Sequence, residues 1–446
     1  MTYDCLIIGG GLAGLICGIK CSSEGLRTAI ISGGMNSLHF SSGSIDIAGY
    51  EPNGEVVKKP FDYINSVIKS NKNHPYSKSG MEAVYNSIDF LRDKLSDEGI
   101  TLNYMYEFNH FHITTLGIVK PTYLSQESVF DDRLIEIVNS NKKLAILNFK
   151  GFRDYYPEQT ASNIKKNSLF KDCEIILGDI SLPYYMNTEK NMHEFRSIDI
   201  ANIFETERYL PRIAEEIKRV SSDAAVVSLP AFIGIRNYSV IRKRLEALTG
   251  KFIYEIPALP PSILGLRLDH GLKNSFIKHG GEYIAGERVV SGVIKNNEVD
   301  FLITKNSGEI PVKSKFYLLA TGSFFSGGLS AGYDSISEPI FGLNIKFDKK
   351  DKWYNNTFFD KASHPFMEYG VETDNNFNPF YEDKEDKYED KENKEEDKKI
   401  VKNLLCAGAV LSGYNPVIEG CGGGVALATG FRCAEIIIKE IKNDKN

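Results

Sequence analysis

The stretch from Asp4 to Ser32, DCLIIGGGLAGLICGIKCSSEGLRTAIIS, constrains this chain more than any other. Residues 3–8 and 27–32 are apolar, β-rich runs. The helix predicted over 12–24 lies between them and stops at Gly25. A strand–helix–strand unit this short must be parallel, with a right-handed crossover. Gly9, Gly11 and Gly14 satisfy G-x-G-x-x-G directly after the first strand and at the helix start. The first glycine permits a tight turn, the second lets the backbone approach a phosphate, and the third lets helix and strand pack closely. A phosphate there meets the unsatisfied amides at Leu12 and Ala13 and the positive end of the helix dipole.

Such a unit predicts an α/β chain with a Rossmann-like nucleotide-binding domain. In that fold the second strand normally ends near an acid that holds the ribose hydroxyls. Here the strand ends on Ser32, and no Asp or Glu occurs between Glu24 and Asp46. An adenosine ribose would lose a charged acceptor worth about 1.5–3 kcal/mol. Ser32 replaces part of it.

Other segments extend the pattern. LLATGS, Leu318 to Ser323 with Gly322, resembles the strand-to-turn by which flavoproteins return to their nucleotide domain. CAGAV, with Gly408, and EGCGGGVALATG, with Gly422, Gly423 and Gly424, resemble their C-terminal element, where a glycine-started helix points amides at the flavin. Leu38 to Asp46, LHFSSGSID, stands where flavoproteins wrap the ring with small and hydroxyl residues. Ser41, Ser42 and Gly43 are its candidate contacts, with an ordinary hydroxyl-rich turn as the equal alternative. Ala409 occupies a place where related flavoproteins often carry an acid. The two missing acids favour FMN as the cofactor, with FAD as the alternative.

The domain organisation expected is a flavin-binding domain built from 1–50 and 261–446, with an inserted mixed α+β domain over 51–260. Within the insert, helices are predicted at 60–70, 80–98 and 205–220, and strands at 144–149, 174–178 and 224–229. Residues 382–399 carry ten acids against six lysines and no apolar stripe, which predicts a solvated, disordered insertion. That run supplies most of the formal charge of -6. A nucleic-acid binder is excluded on charge and on the lack of a basic cluster. The seven cysteines form no C-x-x-C pair, so neither a metal site nor an iron–sulfur motif is expected. No secretory leader and no apolar run of about 20 residues is present, which predicts a reduced, cytoplasmic setting.

The chain resembles the B-subunit family of anaerobic glycerol-3-phosphate dehydrogenase. The resemblance rests on IIGGGLAGLICG, LHFSSGSIDI, HPY (His74 to Tyr76), TTLGIVKPTYLS (Thr114 to Ser125), LPAFIG (Leu229 to Gly234), LPPSILGLRL (Leu259 to Leu268) and CAGAVLSGYNPVIEGCGGGVALAT. It runs end to end and is poorest at 350–370 and in the charged run. It implies an FMN-associated subunit working with a larger FAD-bearing A subunit that oxidises sn-glycerol 3-phosphate to dihydroxyacetone phosphate. An iron–sulfur C subunit would pass electrons to membrane quinone in anaerobic respiration, holding the chain at the cytoplasmic membrane through its partners. Two other readings stay open: a stand-alone flavin oxidoreductase on a small anionic substrate, and a non-catalytic assembly protein with a vestigial flavin fold.

No catalytic base stands out. His39 is a candidate proton carrier, as is His74, since imidazole titrates near neutrality; a structural role is the competing reading for each. Arg267, Arg196 and Lys120 are candidate holders of a phosphate or carboxylate, against an ordinary ion pair. Arg153 and Asp154 read as an internal pair, and Tyr155 and Tyr156 as core or interface.

Overall fold

The computed structural model describes residues 3–140, 143–183, 191–306, 308, 310–360, 362–382 and 398–444. Strand β1, Tyr3–Ile8, helix α1, Leu12–Ser23, and strand β2, Thr28–Ser32, form as the sequence predicts. They belong to a five-stranded, all-parallel sheet. Its spatial order is Glu282–Ala285, β2, β1, Ser314–Leu319 and Leu404–Cys406. Every residue of β2 is buried, as befits a parallel strand covered on both faces.

Helix α1 packs against the C-terminal helix, Gly422–Asn443. The approach is close enough that a β-carbon on Gly430 would stand 2.4 Å from the carbonyl oxygen of Ala13. Leu15, Ile16 and Ile19 are completely buried, each worth about 1.5–3 kcal/mol of transfer free energy. A hairpin, Val289–Lys295 with Glu298–Thr304, adds to the same unit.

The chain divides into two compact units: Met1–Ser37, Asp46–Lys94 and Leu272–Asn446 form one, Leu38–Ile45 and Leu95–Gly271 the other. The division therefore falls elsewhere than at 51 and 260. Residues 46–94 stay with the nucleotide sheet because their side chains are anchored there. His74 Nε2 meets Glu419 Oε2 at 3.1 Å, Lys78 donates to the Thr373 carbonyl at 2.8 Å, and the Phe90 ring meets Phe431 edge-on at 5.5 Å.

The second unit has its own parallel sheet, ordered Phe252–Ile256, Val226–Pro230, Leu144–Phe149 and Ile175–Ile180. Its core includes Ile146, Leu147, Phe149, Phe204, Val227 and Phe232. The strands expected at 144–149, 174–178 and 224–229 are three of these four. Of the charged run, residues 383–397 lie outside the described residues. Its end is ordered: Lys399–Ile400 pairs antiparallel with Phe380–Tyr381, and Lys398 meets Glu372 at 2.8 Å.

Candidate functional site

The three motif glycines have three different physical jobs. Gly9 sits at φ +115, and a β-carbon there would stand 2.3 Å from the Ala320 carbonyl oxygen. Gly14 would place one 2.1 Å from the carbonyl oxygen of Gly9. Gly11, with φ -79, faces open space, with nothing within 4 Å of its missing side chain. As N-cap of α1 it supplies no side-chain hydrogen bond, and no acid stands in the first turn. The amides of Leu12, Ala13 and Gly14 thus lack acceptors within the helix and collect the positive end of its dipole.

The open side of Gly11 faces a cavity of about 690 Å³. Gly9 to Gly11 form one wall, Ser32 to Ser37 a second, Glu287 to Val290 with Lys305 a third, and Ala320 to Gly322 a fourth. Ser32 is at the cavity as expected, its hydroxyl donating to the Gly34 carbonyl at 3.3 Å. Gly322 is there too, at φ +82. An uncapped helix start above a cavity of this size fits a phosphate-bearing nucleotide: the glycine leaves the room, and the amides supply the donors.

The C-terminal glycines are used mainly for packing. A β-carbon on Gly424 would meet the Tyr76 hydroxyl at 2.2 Å and Ile47 Cα at 2.7 Å, and its amide donates to the Asp46 carbonyl at 2.8 Å. Gly422 is roomier, with Pro416 at 3.4 Å, and it opens the helix together with Gly423. Gly408 lies at φ +76 against Ala13, its amide donating to the Thr429 hydroxyl at 2.9 Å.

The loop 38–45, in the second unit, is a built turn. The Ser41 hydroxyl donates to the Leu38 carbonyl at 2.8 Å and accepts from the Gly43 amide at 3.2 Å. Ser42 accepts from the Ser44 amide at 3.4 Å. Gly43, at φ +72, lies against Leu264. His39 Nε2 meets Asp269 Oδ2 at 3.0 Å, and Asp269 is buried. A carboxylate behind an imidazole fixes its tautomer and orientation, which suits proton transfer.

Behind the loop runs a network the sequence reading missed. His110 Nε2 bonds the Ser125 hydroxyl at 2.8 Å, Ser125 bonds Ser44 at 2.9 Å, and Ser44 bonds His112 Nδ1 at 3.2 Å. Burial, with the neighbouring His112, pushes the His110 pKa down to about 3. Burial and the charge of Lys120 do the same to His112. Both rings are therefore neutral near pH 7. The alternation in HFHI, strand His110–Ile113, is the signal that was there to find.

Arg267 is not available to a ligand. Its guanidinium forms a double hydrogen bond to Glu255, at 2.7 and 3.0 Å, donates twice to the Gly234 carbonyl, at 2.9 and 2.7 Å, and reaches Gln126 at 3.4 Å. The Tyr238 ring covers it at 4.2 Å. All its donors are spent, and the group is fully buried. Burial would raise the Glu255 pKa, but the Arg267 charge and its hydrogen bonds outweigh that and hold it below the usual range. The phosphate-holding role expected for Arg267 is withdrawn on this geometry. Arg196 lies exposed at the start of helix Ser197–Phe204, and Lys120 on strand Val119–Thr122. Arg153 and Asp154 form no ion pair among the described residues; Tyr155 is buried and Tyr156 exposed.

His74 is structural. Its Nδ1 accepts the Tyr76 amide at 3.0 Å, so the ring proton sits on Nε2 and points at Glu419 Oε2, 3.1 Å away. Cys421 is close to both, yet an imidazole so fixed has no lone pair at Nε2 for a metal. Cys5, Cys17 and Cys21 converge in the completely buried interior between β1 and α1. No described helix is long and apolar enough to cross a membrane.

A parallel sheet bearing an uncapped glycine turn over such a cavity defines a nucleotide-binding flavoprotein fold, and the FAD binding domain family matches residues 4–425. The B subunit of the anaerobic glycerol-3-phosphate dehydrogenase of Aliivibrio fischeri (strain MJ11) is 38% identical over 454 residues, covering 99% of this chain and 96% of that one. Its counterpart in Vibrio vulnificus (strain CMCP6) is 36% identical over 438 residues, covering 98% and 96%. The chain belongs to this B-subunit family of anaerobic glycerol-3-phosphate dehydrogenases, within the FAD-binding-domain proteins. A solved 3-ketosteroid Δ1-dehydrogenase from Sterolibacterium denitrificans aligns with 98% of the chain and 100% of its own, at 10% identity and a TM-score of 0.44, too remote to bear on function. The expectation of a flavin agrees with the family; the preference for FMN finds no support in it, since the matching domain is an FAD-binding one.

Proposed function

We propose that the chain is the FAD-holding B subunit of a quinone-linked glycerol-3-phosphate dehydrogenase. The observation that carries this reading is the cavity running from the glycine turn past the end of β2. FMN would end at the turn, whereas an adenosine has that space to fill. The bound flavin would supply hydride or electron transfer. Gly9, Gly11 and the amides of Leu12, Ala13 and Gly14 would hold its phosphates, with Ser32 and Gly322 along the walls. The roomy start of the C-terminal helix at Gly422 and Gly423, and the loop at Ser41 to Gly43, remain the candidate ring contacts. His39, oriented by Asp269, is the candidate to take the proton from the substrate carbinol.

The substrate in this reading is sn-glycerol 3-phosphate and the product dihydroxyacetone phosphate. The partners are an FAD-bearing A subunit and an iron–sulfur C subunit that delivers electrons to quinone at the cytoplasmic membrane face. Ser32, standing where an acid is expected, favours a second reading in which FMN is bound. Mass spectrometry of the flavin released from purified protein separates the two by a whole adenylate. Reduction of a dye with glycerol 3-phosphate, by the chain alone and with its partners, tests the activity. A colourless protein that added flavin does not reconstitute would overturn both readings.

A further inference from the structure

The acid missing from the end of β2 has a counterpart one strand away. Glu282–Ala285 runs parallel to β2 with Ala285 opposite Ser32, and the amide of Gly286 donates to the Ser32 carbonyl at 2.9 Å. The two strands therefore finish side by side at one edge of the cavity. Gly286, at φ +75, turns the chain, and Glu287 follows it. Among the described residues lining the cavity, Glu287 is the single carboxylate.

Its side chain is already oriented. Glu287 Oε1 accepts the amides of Arg288 and Asn306, both at 3.0 Å. The Asn306 amide above all holds the carboxyl below the usual range, so it is ionised at neutral pH. The Asn306 side chain and the Lys305 amide hold the carboxylate as well, so it stands as a fixed anion at the edge of the cavity. A fixed, charged acceptor beside the end of β2 has the properties that a ribose diol requires.

We infer that Glu287 takes the place of the absent ribose acid, accepting the adenosine ribose hydroxyls of a dinucleotide whose phosphates lie on the glycine turn. This rests on the FAD reading and assigns the residue that makes it workable without an acid on β2. The competing role is purely structural, with Glu287 tying down the turn at Asn306.

The test titrates flavin-stripped protein with FAD, FMN and ADP and measures affinity directly. Glu287→Gln retains an oxygen for both amides and removes the charge. It should weaken FAD and ADP by about 10- to 100-fold while FMN changes by less than about twofold. Ser32→Asp added to Glu287→Gln should recover about 10-fold for FAD and ADP, by returning the carboxylate to its usual strand. Equal losses for FAD and FMN, or no loss for either, would overturn the assignment. A wild-type protein that takes FMN but neither FAD nor ADP would overturn the dinucleotide reading as well, a result distinct from normal FAD binding by Glu287→Gln.

Discussion

Gly14 and Gly9 touch through their backbones, so that a β-carbon on Gly14 would stand 2.1 Å from the carbonyl oxygen of Gly9. Two residues along from Gly9, Gly11 would accept one with nothing inside 4 Å. A single motif thus contains one glycine that the fold needs and one that only a ligand needs.

The glycines should accordingly separate in experiment. Gly11→Val is expected to keep its melting temperature within about 2 °C in flavin-free form, because its φ of -79 suits any residue. Its flavin absorbance should vanish. Gly14→Val should instead lose about 3 kcal/mol or more, the cost of forcing helix from strand. Full flavin content in folded Gly11→Val would refute the placement of the phosphate.

Arg267 is expected to behave as a structural residue. Removing one partner of a buried ion pair costs about 3–5 kcal/mol, so Arg267→Met should destabilise the second unit by that much in denaturant titration. Arg267→Met combined with Glu255→Leu should be milder than Arg267→Met alone. If Arg267→Met kept full stability while KM for glycerol 3-phosphate rose, the residue would have to be returned to the binding machinery.

The buried histidines predict acid sensitivity. His110 and His112 have folded pKa values lowered to about 3 from an ordinary 6.5. Below pH 6.5 the unfolded chain takes up protons that these rings refuse, so their contribution is present above that pH and lost as pH falls. Each should remove about 1.4 kcal/mol per pH unit between about 6 and 3. His110→Gln with His112→Gln should flatten that part of the stability profile; an unchanged profile would show that other groups set it.

The pair His39 and Asp269 makes a kinetic prediction for the assembled enzyme. His39→Gln should lower kcat by about 10²- to 10⁴-fold with flavin content retained. Asp269→Asn should lower it less, because the imidazole is kept and loses only its oriented partner. Unchanged turnover in His39→Gln would remove it from consideration as proton acceptor.

The first strand, turn and helix were legible because their signals are local: periodicity, three glycines and a stop. The strands Leu144–Phe149 and Val226–Pro230 were legible for the same reason, as short apolar runs. Helix Tyr238–Thr249 and strand Phe252–Ile256 were not, since the helix YSVIRKRLEALT carries many charges. The fate of Arg267 was hidden altogether. Whether an arginine is spent or free depends on Glu255 and Gly234, and only the folded chain brings those to it. The same holds for residues 51–94, whose allegiance is decided by contacts with Thr373 and Phe431 near the far end of the sequence.

The alignment of Ala285 beside Ser32 makes two distant stretches of sequence interchangeable as places for one side chain. Neighbouring strand ends are one hydrogen-bonded step apart, about 4.8 Å, although more than half the chain separates them along the backbone. A carboxylate that follows the neighbouring strand therefore reaches the same edge of the cavity as one at the end of β2 would. A fingerprint that searches only just downstream of the first helix passes over Glu287.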